Sequence, residues 1–168
     1  MGTVLQQERW RTKYMDVLMM TRAESLNVIQ DLKKKDVVVT KWAKNAIVWL
    51  QQHKPVPGER TVLNLVVITP ANMGFSSGSR FYDFNRATER CGLVWCPAWA
   101  GVQYRIDQVG SQRKGEFIKV VSRPLPWNGK HWLMAVSNEA ARDRLSLVRQ
   151  FPHWRCAPDE LFLYCIKK

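Results

Sequence analysis

The sequence predicts an α+β fold, with N-terminal helices followed by a small mixed or antiparallel sheet and two further helices. Three observations carry that expectation. Leu5, Tyr14, Val17, Leu18, Leu26, Ile29 and Leu32 recur near helical spacing, with no Gly or Pro between Thr3 and Lys35. Residues 61–69 are a nearly unbroken run of Val, Leu and Ile, as in a strand covered on both faces. Residues 102–108 and 116–122 then alternate like half-exposed strands. Helices that lead and strands that cluster afterwards separate this pattern from a regularly alternating α/β chain.

The elements follow in order. The helical stretch 3–34 breaks near Thr21 into two helices. Lys33, Lys34 and Lys35 then stand at a helix C-terminus, where cations complement the dipole. Residues 36–39 read as a turn or a brief strand. Thr40 caps a helix that runs to about Gln52, with Trp42, Ala43, Ala46, Ile47 and Leu50 on its apolar face. Pro55 and Pro57-Gly58 end it. These helices suggest a helix-turn-helix, but the turn lacks the expected Gly or small residue. After strand 61–69 comes a Gly/Ser-rich loop, residues 70–80, and Asp83 caps a helix over about 84–91. Strands 102–108 and 116–122 are joined by residues 110–115 as a basic hairpin tip. Residues 130–136 make another strand. Ser137 caps a helix over about 138–151, with Glu139 and Asp143 early and Arg149 late, as the helix dipole prefers. Residues 161–166 close the chain as a strand or a helix.

A chain of 168 residues can bury a core in one domain without disulfide or metal. We expect a single domain over 1–168, with a helical part of about 1–54 and a sheet-containing part of about 60–168. The best apolar run, residues 62–68, is broken by Asn64 and far too short to span a bilayer. Glu8, Arg9, Arg11 and Lys13 stand where a signal peptide needs apolar residues. Met1-Gly2 opens like a myristoylation site, but Gln6 occupies the Ser/Thr position. The expected location is cytoplasmic, or nuclear in a eukaryote, with no membrane partner.

Chemistry is less clearly marked. Cys91, Cys96, His153 and Cys156 can be drawn as a zinc set, but the spacing lacks the tight Cys-x-x-Cys knuckle. The four cysteines are expected as reduced, structural thiols, with no metal and no cofactor. No Cys-His pair is singled out as nucleophile and base. The loop 70–80, with Gly74, Ser76, Ser77, Gly78, Ser79 and Arg80, would cradle a phosphate if its amides turned outward, yet it matches neither the Walker nor the dinucleotide pattern. Asp83, Glu89 and Asp107 are too scattered to mark a metal-dependent nuclease. No catalytic residue is assigned.

Charge points to a class of partner. The chain carries 26 Lys and Arg against 14 Asp and Glu, a net +12, with pI about 9.9. The excess is +5 over residues 1–60, +1 over 61–110 and +6 over 111–168. Basic ends packed side by side would form one face of the kind polyanions bind. There are eight tryptophans, several beside cations, and indoles next to cations suit unpaired bases joined by phosphates. The chain is therefore expected to bind nucleic acid, DNA or RNA, without catalysis. The candidate contacts are Lys33, Lys34, Lys35, Lys41, Lys44, Arg113, Lys114, Arg142, Arg149 and Arg155, with Trp10, Trp132 and Trp154 as stacking rings. Arg142 and Arg149 would share an exposed helical stripe opposite Ala141, Leu145 and Val148. The alternative is an accessory or inhibitory factor docking an acidic protein through the same face. The third is a small phosphate- or nucleotide-handling enzyme built on loop 70–80.

Overall fold

β3 (Thr61–Ile68) runs inside a sheet, between β1 (Arg11–Val17) and β10 (Leu161–Ile166). Its residues divide by parity. Leu65 joins the core on one face of the sheet, and Val66 and Ile68 join the core on the other. Side chains alternate along a strand, so burial on both faces produces the continuous apolar run seen in the sequence. The computed structural model describes residues 11–17, 22–53, 61–127 and 130–167.

The main sheet is mixed. From β3 it continues through β10 to β6 (Phe117–Trp127), β7 (Lys130–Glu139), β8 (Arg142–Arg149) and β2 (Val38–Val39). β10 runs parallel to β6 and β2 parallel to β8, and the other neighbours are antiparallel. β5 (Leu93–Val94) also pairs with β10, off that path. β4 (Ser79–Arg80) and β9 (Arg155–Cys156) form a separate two-stranded sheet.

Helices cover both faces. α1 (Arg22–Lys34), α2 (Lys41–His53) and α4 (Ala100–Asp107) bury Leu32, Ile47, Leu50 and Val102 in one core with Leu65, Val120, Met134, Leu145 and Leu163. α3 (Phe81–Arg90) buries Phe84 on the opposite face with Val66, Ile68, Phe162 and Tyr164. α2 starts where Thr40 places it: the Ala43 amide donates to Thr40 Oγ1 at 3.3 Å, satisfying an otherwise orphaned N–H of the first turn.

The α+β class stands, but the helices are interleaved with strands rather than gathered at the N-terminus. Residues 11–17, expected as helix, are a strand whose backbone pairs with β3 from Arg11 opposite Val67 to Val17 opposite Thr61. Here long-range pairing overrides local helical spacing. Residues 1–10, 18–21 and 54–60 lie outside the described residues, and with them Trp10, the expected break near Thr21 and the Pro55 and Pro57-Gly58 stop.

Residues 102–108, expected as a strand, belong mostly to α4. Gln103, Tyr104 and Arg105 are all buried, and the Gln103 side chain donates one turn on to Asp107 at 2.9 Å. Buried polar side chains imitated strand alternation. Residues 110–115 are consequently not a hairpin tip but the link from α4 to β6.

The helix expected over 138–151 is also absent. Residues 130–149 are an antiparallel hairpin, β7 to β8, with Glu139 opposite Arg142 and Ala140-Ala141 as its two-residue turn. α3 begins at Phe81, with Arg80 in the cap position and Asp83 inside the first turn.

Candidate functional site

α3 shows one face to a cavity. Phe81, Tyr82, Asn85, Arg86 and Glu89 fall at helical spacing, and all five line a cavity of about 670 Å³. Trp95, just after β5, forms another wall. Val121 and Ser122 of β6, Leu133 of β7, Gln150 and Pro152 complete the described lining.

A bulge makes room for it. In β6 and β7, Val120 pairs with Met134 and Leu125 with Trp132. Residues 121–124 therefore stand opposite Leu133 alone. There β6 turns to the segment after β5: Cys96 donates its amide to Val121 O at 2.7 Å. A wide irregularity of this kind releases strand from its ladder and re-aims side chains. The segment after β8 is tied across α3, since the amides of Phe81 and Tyr82 donate to the carbonyls of Trp154 and Pro152.

Asn85 organises the wall. Its Oδ1 accepts Trp95 Nε1 at 2.8 Å and the Tyr164 hydroxyl at 3.1 Å, while its Nδ2 donates to Glu89 Oε1 at 2.9 Å. Burial pushes the Tyr164 phenol well above its ordinary range, so it stays protonated as a donor. The Trp95 ring is thereby fixed by its one polar atom. Gln150 differs. It is only 5% exposed, and neither Oε1 nor Nε2 has a hydrogen-bond partner among the described residues. An unpaired buried polar group costs about 1–3 kcal/mol, so this amide is an unmet demand on the cavity wall.

Cations lie on this wall and on the strands next to it. Arg86 is on the lining itself, and Arg80 and Arg155 are paired opposite each other across β4 and β9. All three side chains are exposed, and none has an ion-pair partner among the described residues. Tyr82 is 58% exposed and Trp154 46%. Trp154 stacks on Phe151 with 6.0 Å between centroids and 12° between planes. Gly78 permits β4 to lie against β9: its φ is +81°, and a Cβ there would run into the Cys156 carbonyl.

The structure divides the sequence-predicted contacts into groups. Trp154 and Arg155 adjoin the start of α3, through the Trp154 carbonyl that accepts the Phe81 amide and the pairing of Arg155 with Arg80. Lys33, Lys34 and Lys35 end α1 and adjoin Asp36, which pairs with Arg142 at 2.7 Å. Arg113 and Lys114 precede Gly115, whose amide donates to Asn138 O at 2.8 Å. These cations therefore gather where β7 turns into β8, with Lys41 and Lys44 following in α2. Within the group Lys34 also meets Asp31 at 3.4 Å.

Arg149 is at the far end of β8, and residues seven apart on a strand face opposite sides. The proposed Arg142–Arg149 helical stripe does not exist. Arg149 instead lies over the Trp132 ring, 5.3 Å from its centroid, and Trp132 stacks with Trp42 at 6.1 Å. Ala141, expected on a buried helical side, is exposed in the turn, whereas Leu145 is in the core.

In the loop 70–80, residues 71–73 form a short 3-10 turn. The amides of Ala71, Asn72, Met73, Gly74, Phe75 and Gly78 all donate to carbonyls within the chain, so they are not turned toward a phosphate. Cys96, Cys156 and Cys165 are buried and Cys91 is exposed. Among the described residues, no three His, Cys, Asp or Glu side chains gather as a metal site.

No protein-family model matches the chain, no curated protein matches it, and no solved structure matches it. The site is read from its own chemistry. Sequence reasoning missed Tyr82, Asn85, Arg86, Trp95 and Gln150. Asn85, Arg86 and Glu89 fall within the expected helix 84–91, but Phe81 and Tyr82 precede it, and Trp95 and Gln150 join them only through the sheet.

Proposed function

We propose that this protein binds nucleic acid with unpaired bases. The observation that carries the reading is the aromatic-walled cavity lined by Arg86, with Arg80 and Arg155 facing each other across β4 and β9, next to the lining residue Phe81. Flat rings take bases by stacking, while guanidiniums take phosphates in forked hydrogen bonds. The carboxylate of Glu89 on the wall disfavours a phosphate inside, which leaves the cavity for a base and the arginines for the backbone. The net charge of +12 supplies the long-range attraction. The cations at the β7–β8 turn add a second basic area on which a longer strand can rest.

The test is fluorescence anisotropy with labelled single- and double-stranded probes at about 50 mM salt, followed by a salt titration. Single strands should bind more tightly than duplexes. The log–log salt slope should be near −0.7 for each phosphate engaged, so about −2 for the three arginines alone. Absence of binding to every probe at low salt would refute the proposal.

A further inference from the structure

We infer that the cavity beneath α3 reads a single nucleobase that carries an exocyclic amino group, with Gln150 holding the base edge and Glu89 selecting the amino group. This rests on the nucleic-acid reading above and names what the site selects. Three features converge. Phe81, Tyr82 and Trp95 offer aromatic walls, and about 670 Å³ is ample for a base with its sugar. Gln150 brings a donor and an acceptor that nothing among the described residues satisfies, although the residue is 95% buried by its 5% exposure. Glu89 brings a carboxylate that only accepts.

The polar groups decide the class. An amide pairs side by side with a base edge that presents a donor next to an acceptor, as Gln does with adenine. All four bases have such an edge, so Gln150 alone makes a base site without strong preference. Glu89 adds the preference. Its Oε1 already accepts from Asn85, and a carboxylate oxygen near the base rewards a further N–H and repels a carbonyl. Adenine, cytosine and guanine carry an amino group for it. Uracil and thymine flank their one N–H with two carbonyls. Gln150 lines the cavity, and its terminal torsion is soft, so its donor and acceptor can exchange places to match the edge of a base that enters. A base reaches such a pocket from a strand, as an extruded or unpaired residue, or as a free nucleotide.

The experiment uses the full chain and a short labelled oligothymidylate with one central position changed to A, C or G. The strands with A, C or G should bind about tenfold more tightly than the all-T strand. Gln150→Leu should weaken all four strands, the all-T strand included, while the salt slope stays in place, because the amide pairs with an edge that every base has. The same variant should unfold at a higher temperature than the parent, because it removes an unsatisfied buried amide without changing volume much. Glu89→Gln should erase the preference but keep base binding, because an amide at that position accepts an amino group and donates to a carbonyl alike. Equal affinity for all four strands, or a preference that Glu89→Gln leaves unchanged, would overturn the inference and leave the nucleic-acid reading intact. Nucleoside monophosphates with an amino group that bind while no strand does would keep the base site and overturn the nucleic-acid reading. A parent that binds neither strands nor nucleotides removes both.

Discussion

Arg105 Nη2 lies 3.1 Å from Asp143 Oδ2, with the arginine side chain fully buried and the aspartate nearly so. Asp143 also accepts the Gly110 amide at 2.6 Å and Asn138 Nδ2 at 3.0 Å. Arg105 donates in addition to Gln112 Oε1 and to the Ser137 and Gln108 carbonyls. One ion pair thus ties α4, the link behind it and the β7–β8 hairpin together. Burial lowers the Arg105 pKa from its ordinary value, and Asp143 opposes that shift.

Removing one partner of a buried pair strands the other charge, at about 3–5 kcal/mol. Asp143→Ala should therefore destabilise the fold by that amount in urea unfolding, more than any exposed substitution in β8. Arg105→Met combined with Asp143→Leu should recover part of the loss, because it leaves no lone charge. A single Asp143→Ala variant as stable as the parent would show that the pair does not hold the hairpin.

This pair also marks where sequence was readable and where it was not. β3, α2 behind Thr40 and β6 carry signals within their own residues, an apolar run, a cap or alternation, whereas the apolar residues of β10 fit a strand or a helix equally until β3 and β6 pair with it. α4 and the β7–β8 hairpin carry no such signal, because their polar residues are explained only by each other. Gln103 and Arg105 alternate as if facing solvent, yet they are buried. Ser137, Asn138 and Asp143 look like helix-start residues, yet they serve a hairpin. The site follows the same rule. α3 reads as a helix from its own residues, and its basic and aromatic neighbours Trp154 and Arg155 stand out in the sequence, but Gln150 acquires its meaning only because the segment after β8 is tied to the start of α3.

The turn of that hairpin is strained. Ala140 has φ +50° and Ala141 φ +63°, the left-handed region that two-residue hairpin turns require and Asn-Gly fills best. Alanine there costs about 1 kcal/mol or more at each position, and it carries no turn signal, which is why 138–151 read as helix. Ala140→Asn with Ala141→Gly should stabilise the protein by about 1–2 kcal/mol. A thermal midpoint that falls would contradict this turn geometry.

Arg142 and Arg149 should act independently. They end a strand whose residues rise about 3.3 Å each, so roughly 23 Å separates them. Arg142→Ala loses an exposed pair with Asp36 and should cost no more than about 1 kcal/mol. Arg149→Ala loses its contact over Trp132, also about 0.5–1 kcal/mol. In a double-mutant cycle on stability or oligonucleotide affinity, their effects should add within about 0.5 kcal/mol. A coupling well above that would mean the two guanidiniums share a partner.

The cysteines give a pH prediction. Burial pushes the Cys156 thiol up from 9.0 to about 11. An acid whose pKa is raised by folding contributes stability that is fully present below its unfolded value and lost as pH rises through the folded one. Thermal stability in reductant should fall between about pH 9 and pH 11, and Cys156→Ala should flatten part of that decline. Tyr104, raised to about 12 by burial, extends the decline further. At neutral pH iodoacetamide should label exposed Cys91 well before the buried thiols. Equal labelling of all four in the native protein would contradict the burial.

Gly101 reverses an ordinary rule. In a helix, Gly→Ala gains roughly 1 kcal/mol from backbone entropy. Gly101 sits in the first turn of α4, where the helix crosses β7. A Cβ built on it would stand 2.8 Å from Met134 Cβ and 3.1 Å from Met134 Sδ. The sulfur can swing away, but the Met134 Cβ is fixed by its own strand, so α4 itself must lift. Lifting α4 loosens Val102 and Tyr104 in the core and draws Arg105 away from Asp143. Overpacking of this kind costs about 1–3 kcal/mol, which exceeds the entropy gain. Gly101→Ala should therefore destabilise the protein, and Met134→Gly, which removes that Cβ, should show a favourable coupling with it in a double-mutant cycle. Gly101→Ala alone raising the denaturation midpoint would show that α4 stands off β7 by more than this packing allows.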